Sequence, residues 1–161
     1  MLTKLKTKNA RASNGHFAII ASKYNQRYVN ALVHSAQKVL EEARVEGVHI
    51  VRVPGAYEIP VVAATLARAD TPSFSAIICF GVILRGETTH AQLIAEGVSG
   101  ALAQIQIMSG VPVIHGVLLF ENKDQARVRC LNKEHNRGIE AARTALEMAE
   151  VIKAIRKTNF A

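Results

Sequence analysis

Ala76-Ile77-Ile78-Cys79-Phe80-Gly81-Val82-Ile83-Leu84, running into Arg85-Gly86-Glu87-Thr88-Thr89-His90, is the stretch on which the fold turns. Its first nine residues carry no charge, the pattern of a central parallel strand covered on both faces. It is far shorter than the ~20 residues a membrane span needs. Working outward, short apolar runs at His16 to Ser22, Val48 to Val53 and Val113 to Leu119 predict three further strands. Between them apolar residues recur at helical spacing. Helices are predicted over Gln26 to Glu46, ended by Gly47, and over Ile59 to Ala69, with Pro60 in the first turn. Asp70-Thr71-Pro72-Ser73 reads as a turn. A helix with Leu93, Ile94, Val98, Leu102 and Met108 on its apolar face ends near Gly110. Glu121 to Arg129 reads as a short helix and Asn136 to Lys157 as a long one.

Strands alternating with helices predict an α/β, three-layer flavodoxin-like domain with a four-stranded parallel sheet flanked by helices. Residues 1–15 read as a flexible basic tail and 16–161 as a single domain; there are no repeats and no linker. The tail has Lys4, Lys6, Lys8 and Arg11 but no apolar segment, so it is not a secretory signal, and a cytoplasmic location is expected. Cys79, inside an apolar run, is expected to be a buried reduced thiol. The excess of 20 Lys and Arg over 13 Asp and Glu does not mark a nucleic-acid binder. Four of the cations sit in the tail and Lys153, Arg156 and Lys157 close the last helix, with no stripe of aromatic residues interleaved. A positive balance suits an anionic small substrate instead.

In folds of this kind ligands lie beyond the carboxyl ends of the strands. Those ends run into Ser22-Lys23-Tyr24-Asn25, Pro54-Gly55-Ala56-Tyr57-Glu58-Ile59-Pro60, Arg85-Gly86-Glu87-Thr88-Thr89-His90 and Phe120-Glu121-Asn122. Gly86 permits an unusual backbone angle or a close ligand approach. Thr88 and Thr89 offer hydroxyls at a helix start, where an anion is favoured, although either could be a simple cap with His90 exposed beside it. Glu58 is a helix-start acid or an acceptor for substrate hydroxyls; Tyr24 is a stacking ring or surface packing. Arg129, Lys133 and Arg137 flank the last loop, where a solvated charged face is the default. The six histidines (16, 34, 49, 90, 115, 135) have no metal-ligand spacing, and there is neither a nucleophile elbow nor a dinucleotide fingerprint. What remains is acid–base chemistry by a histidine beside an anion site.

Taken together, Pro54 to Pro60, Gly81-Val82-Ile83-Leu84-Arg85-Gly86-Glu87-Thr88-Thr89-His90, Glu121-Asn122 with Gln125-Ala126, and Ala145-Leu146-Glu147-Met148-Ala149 resemble lumazine synthase, over residues 16–157. That family joins 5-amino-6-ribitylaminouracil to 3,4-dihydroxy-2-butanone 4-phosphate without cofactor or metal, in the penultimate step of riboflavin biosynthesis. The resemblance implies that Tyr24 stacks on the pyrimidine with Asn25 beside it. It implies that Ala56, Tyr57 and Glu58 bind the ribityl chain, and that Val82, Ile83 and Leu84 offer backbone groups to the pyrimidine edge. Gly86, Glu87, Thr88, Thr89 and Arg129 would hold phosphate, and His90 would shuttle protons.

The chain departs from the family in places. Tyr24 stands where many relatives have Phe or Trp, His115 where a substrate-facing Phe is usual, and Arg137 where a Lys is usual. Ala91-Gln92 replaces an aromatic and an acid, and the loop Cys130 to Asn136 lacks the usual glycines. By resemblance the site forms between neighbouring subunits of a homo-pentamer, with His115 and Arg129 supplied across the interface. Relatives stop at five or ten chains or close into a 60-chain icosahedral shell; the absence of an insertion before the last helix favours a shell. Riboflavin synthase is a candidate partner; no nucleic acid and no membrane is expected. Two rival expectations are a non-catalytic flavin- or lumazine-binding or shell-forming member of the fold, and a generic mononucleotide-binding module. The first would keep the pyrimidine pocket, and the second needs a phosphate loop after the first strand.

Overall fold

The apolar run around Cys79 becomes one of the two inner strands of the sheet, where helices shield both faces. The computed structural model describes residues 15–158, so the predicted basic tail, except Gly15, lies outside the described residues. The chain forms β1 (His16–Ser22), α1 (Gln26–Glu42), β2 (Gly47–Val53), a 3-10 turn (Ala56–Glu58), α2 (Ile59–Ala67), β3 (Phe74–Leu84), α3 (His90–Ser109), β4 (Val113–Phe120), α4 (Lys123–Leu131) and α5 (Arg137–Lys157). The strands are all parallel, in the order β2-β1-β3-β4.

Because side chains alternate along a strand, β1 and β3 feed two cores. Phe17, Ile19, Ile78 and Phe80 pack with Val29, Leu32, Val33, Ala36 and Leu40 of α1 and with Ala142, Ala145 and Leu146 of α5. Ala18, Ile20, Ile77 and Cys79 pack on the opposite face with Ile59 and Ala63 of α2 and Val98 and Leu102 of α3. The result is the three-layer α/β arrangement expected from the alternation of elements. The strand order reverses between β1 and β3, which puts a crevice at their carboxyl ends.

Several element ends differ from the sequence reading. Helix α1 stops at Glu42 rather than Glu46, and Gly47 opens β2 instead of ending the helix. The stop is made by Arg44 in the left-handed region (φ 55°). Its N–H donates to Glu41 O at 3.0 Å and that of Val45 to Leu40 O at 3.4 Å, a closure usually built on glycine. Gly47 is needed for another reason: a Cβ there would lie 2.6 Å from His16 Nδ1. Helix α2 ends at Ala67, two residues short of expectation, and α3 starts at His90, three residues before its first expected apolar residue. Helix α4 starts at Lys123 because Asn122 caps it, its side chain accepting from Gln125 N–H at 2.9 Å.

Candidate active site

The first two strand-end loops are tied together by their backbones. Lys23 N–H donates to Val53 O at 2.8 Å and Tyr24 N–H to Pro54 O at 3.1 Å. Asn25 adopts the left-handed conformation (φ 54°), which asparagine tolerates better than most residues. Its side chain does not cap α1; Nδ2 donates to Val82 O of β3 at 2.7 Å. One amide thus lashes the β1 loop to β3 across the point where strand order reverses.

The second loop packs beneath β3. A Cβ on Gly81 would meet Ala56 Cβ at 3.2 Å and Ile59 Cδ1 at 3.3 Å, so the absence of a side chain lets the turn carrying Ala56, Tyr57 and Glu58 lie close. Tyr24 (73 % exposed) and Tyr57 (68 %) stand in solvent with their faces open. Glu58 Oε2 accepts from Gly55 N–H at 2.9 Å, which stiffens the turn while leaving the carboxylate exposed. Val82 is buried, and Ile83 and Leu84 are half-buried at the strand end.

The third loop is open. Gly86, Glu87, Thr88, Thr89 and His90 are all exposed. Gly86 is not in the left-handed region, and a Cβ there would meet nothing within 4 Å, so of the two roles expected for it only unobstructed approach applies. Thr89 is the N-cap residue of α3 but its side chain makes no capping bond; Thr88 Oγ1 accepts weakly from His90 N–H at 3.4 Å. The His90 ring, on the first residue of α3, has no hydrogen-bond partner among the described residues. Hydroxyls and imidazole therefore stand free beside the positive end of a helix.

Arg129 lies in α4 and Arg137 opens α5. They line an open cleft of about 670 Å³ with Leu118 to Phe120, Asn122, Asp124, Gln125 and Val128. Arg137 is ion-paired to Glu140. Asn136, buried at the head of α5, donates to Cys130 O and accepts from Gly138 N–H at 2.8 Å, joining the end of α4 to the start of α5. A Cβ on Gly138 would sit 2.2 Å from Leu32 O, so only glycine lets α5 start this close to α1. Asn136, Gly138 and Arg85 had no role in the sequence reading. An asparagine before a helix and a glycine inside its first turn were the available signals for the first two.

His90 does not line this cleft, and neither does His115. His115 Nε2 instead pairs with Ser99 Oγ at 2.7 Å, on the α3 side of β4. Ser99 lies nine residues beyond His90, roughly 14 Å along the helix. Of the predicted site residues, Arg129 and Arg137 line the cleft, whereas none of Tyr24, Asn25, Ala56 to Glu58, Val82 to Leu84 and Gly86 to His90 does. A smaller cavity of about 210 Å³, between the start of β3 and the end of α5, contains none of them.

Neither cysteine is a nucleophile. Burial pushes the Cys130 thiol up to about 12 and Cys79 higher still, so both stay protonated. Among the described residues no group of three His, Cys, Asp or Glu is placed to hold a metal ion, and no helix is long and apolar enough to cross a membrane. A family model described as 6,7-dimethyl-8-ribityllumazine synthase matches residues 14–153.

Proposed function

Since this chain belongs to the 6,7-dimethyl-8-ribityllumazine synthase family, we propose that it condenses 5-amino-6-ribitylaminouracil with 3,4-dihydroxy-2-butanone 4-phosphate, releasing phosphate and water, with no cofactor or metal. The observation that carries this is the open loop Gly86 to His90, with exposed threonines and an imidazole that has no partner among the described residues at the helix start.

The pyrimidine stacks on Tyr24, its edge against the backbone of Val82 to Leu84, and its ribityl chain runs toward Ala56, Tyr57 and Glu58. The butanone phosphate is held by Gly86, Glu87, Thr88 and Thr89 together with Arg129, a guanidinium suited to two-point phosphate contact. The pyrimidine amine attacks the ketone carbonyl and water is lost. Phosphate then leaves, and attack by the ribitylamino nitrogen closes the ring with loss of a further water. Each step moves a proton, and an imidazole both takes and gives one near neutral pH. Holding two reactants together supplies much of the remaining acceleration.

His90 does not line the cleft that holds Arg129, which supports a site completed by a neighbouring subunit. His115 and Arg129 then serve the next chain, and Arg137 stands near the substrate. Exposed Leu93 and Ile107 flank Gly97 and Gly100, where an added Cβ would meet nothing within 4 Å, giving α3 an open face for a second copy. We take the assembly to be a pentamer or a multiple of it, working in the cytoplasm.

Mixing both substrates with purified protein and following lumazine absorbance tests the reaction; no absorbance change sinks it. His90→Ala is expected to slow turnover by about ten- to a thousandfold without abolishing it. A variant with full activity would remove His90 from its role.

A further inference from the structure

The loop Gly86 to Thr89 is exposed, and its only side-chain hydrogen bond among the described residues is the weak one from His90 N–H to Thr88 Oγ1. What holds the loop lies at its two ends, and a single side chain reaches both. Arg85 N–H donates to Phe120 O, the last residue of β4, at 2.9 Å. Its guanidinium Nε meets Glu121 Oε2 at 2.7 Å, and Nη1 donates to Gln92 Oε1 at 3.2 Å. Gln92, in the first turn of α3, passes the contact on, Nε2 donating to Glu96 Oε1 at 2.7 Å. The Arg85 side chain is only 32 % exposed.

We propose that Arg85 is a positioning residue for the condensation: with Glu121 it clamps both ends of the phosphate loop and so sets where the loop hydroxyls and the His90 ring stand. The inference rests on the proposed reaction. An ion pair this near the surface adds little to folding stability. Its effect falls on the loop, whose free conformations would otherwise be given up each time phosphate binds. The planar fork of arginine reaches a carboxylate and an amide at once, which the single ammonium of lysine does not. The neutral Gln92 accepts from Arg85 while its own amide N–H reaches Glu96, leaving Glu121 as the charge partner.

Arg85→Gln, Arg85→Lys, Glu121→Gln and the double variant are compared in the assembled protein, with each substrate varied separately. Arg85→Gln is expected to raise KM for the phosphate-bearing substrate roughly five- to thirtyfold and to lower kcat, with KM for the pyrimidine changed less than about twofold. Glu121→Gln follows in the same direction, Arg85→Lys falls between, and the double variant is no worse than Arg85→Gln, because the partners act as one unit. If Arg85 instead touched phosphate directly, Glu121→Gln would free it and lower KM, which overturns the clamp. Equal rises in both KM values, or additive losses, overturn it as well. Amide exchange needs no substrate: residues 86–92 should exchange severalfold faster in Arg85→Gln, with α5 unchanged. Unchanged exchange overturns the clamp, whereas a wild-type protein that forms no lumazine overturns the reaction.

Discussion

Gly138 shows how a residue without a side chain can govern a site. A methyl group there would fall 2.2 Å from the Leu32 carbonyl oxygen, so α5 would have to back away from α1. Asn136 would then lose its hold on Cys130 O or on Gly138 N–H, and the two cations of the cleft would move apart. Gly138→Ala is expected to lower stability by about 3 kcal/mol or more, measured by urea denaturation, because the clash is with backbone. A loss below about 1 kcal/mol would mean that α5 shifts freely. Gly116 is in the same position against Cys79 O at 2.7 Å. Neither clash is written locally, because the obstructing atom belongs to a distant element. The Asn25–Val82 bond, between residues 57 apart, was hidden for the same reason. By contrast, His90 and the threonines before it were legible, since a strand running into Gly-Glu-Thr-Thr-His marks its own end.

At the scale of elements, the strands were read well because short, largely apolar runs bounded by turn residues have no competing helical pattern. Helix ends were read less well. Gly47 gave the louder stop signal, yet α1 closes on Arg44, whose side chain tolerates the left-handed backbone at a cost that glycine would not incur. Arg44→Gly is therefore expected to stabilise the protein by about 1 kcal/mol, raising Tm by a few degrees. An unchanged or lower Tm would show that the arginine makes a compensating contact in the folded state. The start of α4 was obscured differently: Asn122 caps the helix while Gln125 Oε1 accepts from Glu121 N–H at 3.0 Å, so capping starts the helix two residues after Glu121.

For the whole molecule, the decisive feature is that His90 does not line the cleft that holds Arg129. If each substrate cavity is shared head-to-tail round a ring, two damaged proteins can repair each other. His90→Ala subunits still lend an intact Arg129, and Arg129→Gln subunits still lend an intact His90. Unfolded together in equal amounts and reassembled, they should form undamaged cavities wherever the right neighbours meet, recovering about a quarter of native turnover by random placement. The same two proteins assembled apart and then combined should recover nothing. Equal residual turnover in both mixtures would mean that every chain labours alone.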